Sequence, residues 1–228
     1  MTEAEWLACK APELMLNSVR ETGSSRKFRL FICGCCRHLP DAYLSDEEFE
    51  SIEYAEKYAD GEVTLDCLNR YRSNRPRQFH TNGLNWYTSA IKRLTLCRRK
   101  MLFPSALQQA SMTAGLRVDA VYGDYRNEHR EARRAAKLAE LQLVAGIARD
   151  IFGNPFRPVA FDAAWRTSTA AALAKQMYES RDFGAMPILA DALQDAGCTS
   201  DDILDHCRDP KQTHVRGCWV VDLVLGKE

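Results

Sequence analysis

The clearest structural signal in the chain is the stretch SSRKFRLFICGCCRHLP, residues 24–40. Its apolar residues recur three and four positions apart, which is the spacing of one face of an α-helix. A serine at position 24 or 25 suits the start of that helix, and Pro40 ends it. The pattern predicts an amphipathic helix with one buried stripe: Phe28, Phe31, Ile32, Cys35, Cys36 and Leu39.

The regions on either side of this stretch also have helical patterns. Thr2 with Glu5, and Ser45 with Glu48, have the spacing of capping boxes at the start of two helices. Further helices are predicted over residues 84–101, 104–151, 167–180 and 187–196. Residues 215–225 are apolar enough for a buried helix or a strand, and we expect a helix. The sequence therefore predicts an all-α protein.

The segment FGNPFRP, residues 152–158, interrupts the helical pattern. Its two prolines and its Gly-Asn pair favour turn or extended backbone. We expect it to connect an N-terminal helical region, residues 1–150, to a smaller C-terminal helical unit, residues 151–228. Phe152 and Phe156 are expected to pack between helical layers, and Arg157 to pair with the acidic C-terminal region.

The composition excludes several classes of protein. The chain has 228 residues, enough for one large domain or two small ones. No apolar run approaches the roughly 20 residues that a membrane-spanning helix needs, and the N-terminus carries two glutamates instead of a signal peptide's basic start. Nine cysteines, an odd number without an export signal, indicate reduced thiols. We expect a cytoplasmic protein with no membrane partner.

The charges are segregated along the chain although they sum to zero. Residues 41–66, the acidic block, hold ten acids and one lysine, whereas residues 67–118, the basic segment, hold ten Lys and Arg and no acid. Cations neutralise phosphates and aromatic rings stack on unpaired bases, at about 1–3 kcal/mol per base. The predicted contacts with nucleic acid or an acidic protein are Arg70, Arg72, Arg75, Arg77, Tyr71, Trp86, Tyr87, Lys92, Arg93, Arg98, Arg99 and Lys100. The alternative is that the basic segment packs against the acidic block of the same chain.

A second cluster lies near the C-terminus, where cysteine and histidine are unusually dense. Zinc prefers four tetrahedral donors, which Cys198, His206, His214 and Cys218 could provide. The spacing lacks a close CxxC pair, so buried cysteines beside partly exposed histidines, with no metal, are the alternative. The same alternative applies more strongly to Cys33, Cys35, Cys36 and His38, where two of the cysteines continue the apolar stripe.

A cysteine hydrolase is the enzymatic hypothesis. His214, Cys218 and Asp222 are spaced by four, but a triad needs the histidine between the nucleophile and the acid. P-loop, GxGxxG, HExxH and GxSxG motifs do not occur. We therefore predict a non-enzymatic interaction or regulatory module, part of a larger complex, with a zinc- or cysteine-dependent enzyme as the alternative.

Several motifs resemble an uncharacterised bacterial family that is expanded in planctomycetes. They are MTEAEWL, FICGCCRH, IFGNPFRPV, ILADALQDAGC and HVRGCWVVDLVLGKE, which lie towards the two ends of the chain. The family has no established activity, so the resemblance implies no catalytic residue. Residues 60–140 depart most from it, because they are basic and aromatic where the family is rich in alanine.

Overall fold

The computed structural model describes residues 1–38, 46–73, 106 and 130–227. These residues form helices, turns and irregular segments with no strand among them, which confirms the all-α prediction. None of the described helices has the length and hydropathy to cross a bilayer. In chain order the helices are α1 (Glu3–Ala8), α2 (Pro12–Ser18), α3 (Ser25–Arg37), α4 (Asp46–Ala59), α5 (Leu65–Ser73), α6 (Arg130–Phe152), α7 (Ser168–Ser180), α8 (Met186–Asp195), α9 (Asp201–Arg208) and α10 (Trp219–Leu225).

The chain divides into two compact units. One is Cys9–Ala145, and the other combines Met1–Ala8 with Gly146–Glu228. The division falls inside α6, between Ala145 and Gly146. The grouping of the first eight residues with the C-terminal unit had no counterpart in the sequence pattern.

In the unit Cys9–Ala145, α3 is the most completely buried of the described helices. Its N-cap is Ser24, whose hydroxyl accepts the Lys27 N–H at 3.2 Å. The predicted stripe is buried wherever it is described. Leu30 and Cys33, which lie off that stripe, are buried too, so α3 is a core helix and not a one-sided surface helix.

Arginines of α3 hold acids of α4 and of the turn that follows it. The Arg37 guanidinium donates to Glu56 at 2.6 and 3.0 Å, and Arg26 donates to Asp60 at 3.0 Å. Both carboxylates are buried, and removing one partner of a buried ion pair costs roughly 3–5 kcal/mol. These two acids of the acidic block are therefore paired with arginines of α3, which lie outside the basic segment.

In the other unit, α7, α8, α9 and α10 surround one apolar core. Its larger members are Met177, Tyr178, Met186, Leu189, Leu193, Ile203, Leu204, Val220, Val221 and Val224. At the N-terminus the predicted capping box is confirmed, since Glu5 accepts the Thr2 N–H at 2.7 Å and Thr2 accepts the Glu5 N–H at 3.3 Å. The helix that it starts buries Trp6 completely.

The FGNPFRP connector ends α6 at Gly153. This glycine has φ +65°, and a Cβ there would lie 3.3 Å from the Trp219 ring, so the position needs glycine for both reasons. Phe152 is buried as predicted, but Phe156 is 41% exposed, and the expected packing of that ring is wrong. Arg157 pairs with Asp202 at 3.3 Å, which confirms its predicted role.

The apolar C-terminal stretch is helical, as predicted, but the helix begins at Trp219 instead of Val215. Gly217, with φ +96°, closes a turn in which the Cys218 N–H donates to the Val215 carbonyl at 2.9 Å. This turn separates His214 from α10, so His214 and Cys218 do not share a helical face. At the other end of α10, Arg166 donates to two of the last carbonyl oxygens, at 2.8 and 2.9 Å.

Candidate metal centre

Four side chains of the unit that contains Gly146–Glu228 converge on one point. Asp150 lies in the last turn of α6, His206 lies in the last turn of α9, and His214 and Cys218 lie on either side of the turn before α10. One donor atom from each residue lies within 4.8 Å of the other three. Three separate segments of the chain therefore meet at a single cluster of oxygen, nitrogen and sulfur, which we call the metal centre because its donors could hold a metal ion.

The contacts within the centre are short. Asp150 Oδ1 lies 3.1 Å from His206 Nε2 and 2.8 Å from His214 Nδ1. Cys218 Sγ lies 3.3 Å from His206 Nε2 and 3.9 Å from His214 Nδ1. Each histidine thus directs a single nitrogen at both the carboxylate and the sulfur.

These distances can be compared with a tetrahedral zinc site. Zinc–ligand bonds of about 2.0–2.3 Å put neighbouring donors about 3.3–3.6 Å apart. The four separations given above, 2.8 to 3.9 Å, lie within about 0.6 Å of those tetrahedral edges. The other two pairs, Asp150–Cys218 and His206–His214, lie within 4.8 Å, so side-chain shifts of up to roughly 1 Å would bring all four donors to tetrahedral distances.

Both oxygens of the Asp150 carboxylate are hydrogen-bonded within the centre or beside it. The carboxylate is fully buried, and its second oxygen, Oδ2, accepts the Val215 N–H at 2.8 Å, which leaves Oδ1 for the histidines. Burial alone would raise the pKa of Asp150, but hydrogen bonds from His206 and His214, together with the charge of those rings, bring it below its ordinary value. The carboxylate is therefore held in its ionised form, which is the form that a metal ion would bind.

Two thiols of this unit, Cys218 and Cys207, have raised pKa values and are protonated unless a bound cation stabilises the thiolate. Burial, followed by the negative charge of Asp150, raises the pKa of Cys218 well above its usual range. Burial also raises the pKa of Cys207 to about 12. A coordinated metal ion would remove the proton of Cys218, because coordination deprotonates a thiol outright. Without a metal, Cys218 is an unreactive buried thiol.

The geometry argues against a cysteine hydrolase. In a catalytic triad, one imidazole nitrogen faces the nucleophile and the opposite nitrogen faces the acid. Here His206 presents Nε2 to both Cys218 and Asp150, and His214 presents Nδ1 to both. Such convergence on one side of each ring suits a shared ion and cannot relay a proton across the ring.

The predicted zinc ligands are brought together in part. His206, His214 and Cys218 meet in the metal centre, whereas Cys198 is buried in the apolar core and does not belong to the group. Its place is taken by Asp150, an acid that sequence reasoning missed. The available signal was weak: Asp150 is an acid in the last turn of a helix, beside the FGNPFRP break, 56 positions before His206.

The other predicted cysteine cluster is part of the core. Cys33, Cys35 and Cys36 are buried in α3, and burial raises the pKa of Cys33 and Cys35 well above the usual range. Among the described residues, these thiols do not form a group of three or more possible metal ligands, whereas the donors of the metal centre do. Core packing, the alternative given for them, accounts for their positions.

Most of the basic segment lies outside the described residues. Arg70 and Tyr71 are described with their side chains, and Arg72 is described as part of α5 only. The Tyr71 ring stacks on Tyr54 with centroids 4.0 Å apart, and its hydroxyl donates to Glu50 at 3.1 Å. Tyr71 therefore already contacts the acidic block. The remaining predicted contacts lie outside the described residues: Arg75, Arg77, Trp86, Tyr87, Lys92, Arg93, Arg98, Arg99 and Lys100.

No protein-family model matches the chain, and no curated protein or solved structure matches it either. The resemblance to a planctomycete family stays a prediction based on the sequence motifs alone. Function is therefore inferred from the chemistry of the site itself.

Proposed function

We propose that this chain is a zinc-binding helical protein and that Asp150, His206, His214 and Cys218 hold a structural zinc ion. The observation that carries the proposal is the convergence of four donors, one of them a fully buried carboxylate, from three segments. Two imidazoles, one thiolate and one carboxylate form the mixed nitrogen, sulfur and oxygen set that zinc accepts.

The structural role follows from the number and the burial of the donors. Four protein ligands complete a tetrahedral shell, whereas catalytic zinc keeps one position for water. A zinc ion here would tie the C-terminal end of α6 to α9 and to the turn before α10. Because the metal-binding site does not exist in the unfolded chain, the free energy of zinc binding adds to the stability of this unit.

A pair of cysteine variants tests the proposal. Cys218→Ser removes the sulfur donor, whereas Cys198→Ser makes the same chemical change at another buried cysteine of the same core. Elemental analysis of the purified full chain should find one zinc per chain in the wild type and in C198S, and little zinc in C218S. Wild-type protein that stays metal-free after incubation with zinc, or C218S that retains stoichiometric zinc, would contradict the proposal.

The interaction module predicted from the basic segment is a separate hypothesis. Its support is the run of ten cations without an acid in residues 67–118. Its partner would be a nucleic acid or an acidic protein surface, and binding through phosphates would weaken as salt rises.

A further inference from the structure

One side of the metal centre borders an open surface depression. The depression has a volume of about 500 Å³ and is lined by Asp205, His206, Arg208, Asp209 and Gln212. Of the four donors of the metal centre, His206 is the one that lines it. The His206 side chain is 11% exposed, whereas that of His214 is 8% exposed and that of Asp150 is fully buried.

The borders of the depression are held by hydrogen bonds. Arg208 Nη2 donates to Asp191 and to Gln194, each at 2.7 Å, which ties the end of α9 to α8. On another side, the Gln212 amide donates to the carbonyls of Gly146 and Thr213, at 3.4 and 3.2 Å. His206 is the donor that the centre and the depression share, and its ring packs beside those of His214 and Trp219, with centroids 5.0 and 5.1 Å away.

We propose that His206 is the exchangeable ligand of the metal centre and that a small external donor can take its coordination position from the depression. This inference rests on the proposed function. Asp150, His214 and Cys218 would remain bound, which leaves three protein ligands and one external ligand. That arrangement is the one that catalytic zinc sites use, so the exchange would convert a closed site into an open one.

The lining of the depression selects the class of external ligand. Asp205 and Asp209 contribute two carboxylates, whereas the Arg208 guanidinium, the one guanidinium among the described lining residues, is already hydrogen-bonded to Asp191. Negative charge beside the opening disfavours anions. The external ligand is therefore a neutral donor, either water or a nitrogen base of the imidazole type.

Imidazole rescue tests the proposal with a matched pair of variants. H206A and H214A each remove one imidazole ligand, but only the first opens a position towards the depression. Imidazole should raise the zinc affinity of H206A at least about tenfold, since even a residue that merely orients a ligand is worth about 10–100-fold in affinity. Imidazole should leave H214A unchanged, and acetate should rescue neither variant.

Cobalt provides a second readout, because the thiolate-to-cobalt charge-transfer band reports whether Cys218 is still bound. In H206Q, which keeps a polar side chain in case H206A does not fold, the band should persist and the ligand-field bands should shift on adding imidazole. Rescue of both alanine variants, or of neither, would overturn the proposal, as would a cobalt spectrum of H206Q that imidazole does not alter. Wild-type protein that binds no zinc would instead refute the proposed function, so the two failures can be told apart.

Discussion

The substitution Asp150→Asn removes the charge of the metal centre while it keeps the shape of the side chain. Asp150 Oδ1 faces His206 and His214, and Oδ2 accepts the Val215 N–H. An asparagine has one oxygen and one NH₂ group. Facing Val215, the NH₂ group would meet the donor N–H; facing the histidines, it would require both rings to present unprotonated nitrogens. An unsatisfied buried donor costs roughly 1–3 kcal/mol, and loss of a buried charge partner costs up to about 3–5 kcal/mol.

The effect of zinc separates this loss of stability from loss of the metal-binding site. At a free zinc concentration about 1,000 times Kd, binding stabilises the folded state by about 4 kcal/mol. The wild-type chain should therefore be about 4 kcal/mol more stable in zinc than in chelator at that concentration. In D150N the difference should fall close to zero, because a neutral amide oxygen is a poor substitute for a carboxylate ligand.

Guanidinium unfolding, followed by tryptophan fluorescence, measures both quantities. Trp6, Trp165 and Trp219, three of the chain's four tryptophans, lie in the unit that holds the metal centre. Asp195→Asn is the control, because it makes the same chemical change at an exposed position of the same unit. If D150N kept the full zinc-dependent increment, Asp150 would not be a ligand and the reasoning would be refuted.

Acid unfolding of the metal-free protein gives an independent signature of Asp150. A carboxyl group whose pKa is lowered by folding contributes stability above its unfolded pKa, about 4, and loses it as the pH falls through the lower folded value. D150N should therefore show a smaller loss of stability below pH ~4 than the wild type does. If D150N lost as much stability as the wild type below pH ~4, this carboxylate would not be held ionised by its neighbours.

Three further measurements address other parts of the chain. Gly153→Ala should lower the free energy of unfolding by about 2 kcal/mol, because it forces an L-residue into a left-handed conformation. The control, Gly146→Ala, lies in open space within α6 and should be neutral or slightly stabilising. Cys67 should be alkylated fastest among the described thiols at neutral pH, since the Thr64 hydroxyl lowers its pKa, and mass spectrometry should show that Thr64→Val slows the reaction. A fluorescent single strand and a duplex should bind more weakly as salt rises, and no binding near physiological salt would remove the nucleic-acid interpretation. That binding should be abolished by charge reversal at three adjacent cations, Arg98, Arg99 and Lys100.

Local rules predicted the fold class because the signals for helices are local. The buried stripe of α3 and the capping box at Thr2 depend on residues a few positions apart, and both are confirmed. The start of α10 depends instead on the positive φ of Gly217. A glycine allows this conformation but does not require it, so the sequence did not reveal the turn. The burial of Leu30 and Cys33, on the other side of α3, was also not predictable, because it depends on neighbours far away in sequence.

The metal centre could be predicted only as far as residue type allowed. Cysteine and histidine are rare enough that their density drew attention to His206, His214 and Cys218. Aspartate is common, with acids at 31 positions of the chain, so nothing local distinguished Asp150 from the others. Cys198 had the right chemistry, but packing placed it in the core. Which donors share a site depends on tertiary structure, and the four ligands come from three segments.

The two functional hypotheses can be tested independently because they involve different units. All four donors of the metal centre belong to Gly146–Glu228, whereas the basic segment, residues 67–118, lies within Cys9–Ala145. Cys218→Ser should therefore remove zinc and leave nucleic-acid binding unchanged, and charge reversal at residues 98–100 should do the opposite. If one substitution abolished both activities, the zinc ion would have to be required for the fold or the activity of the whole chain, and its role could not be confined to the C-terminal unit.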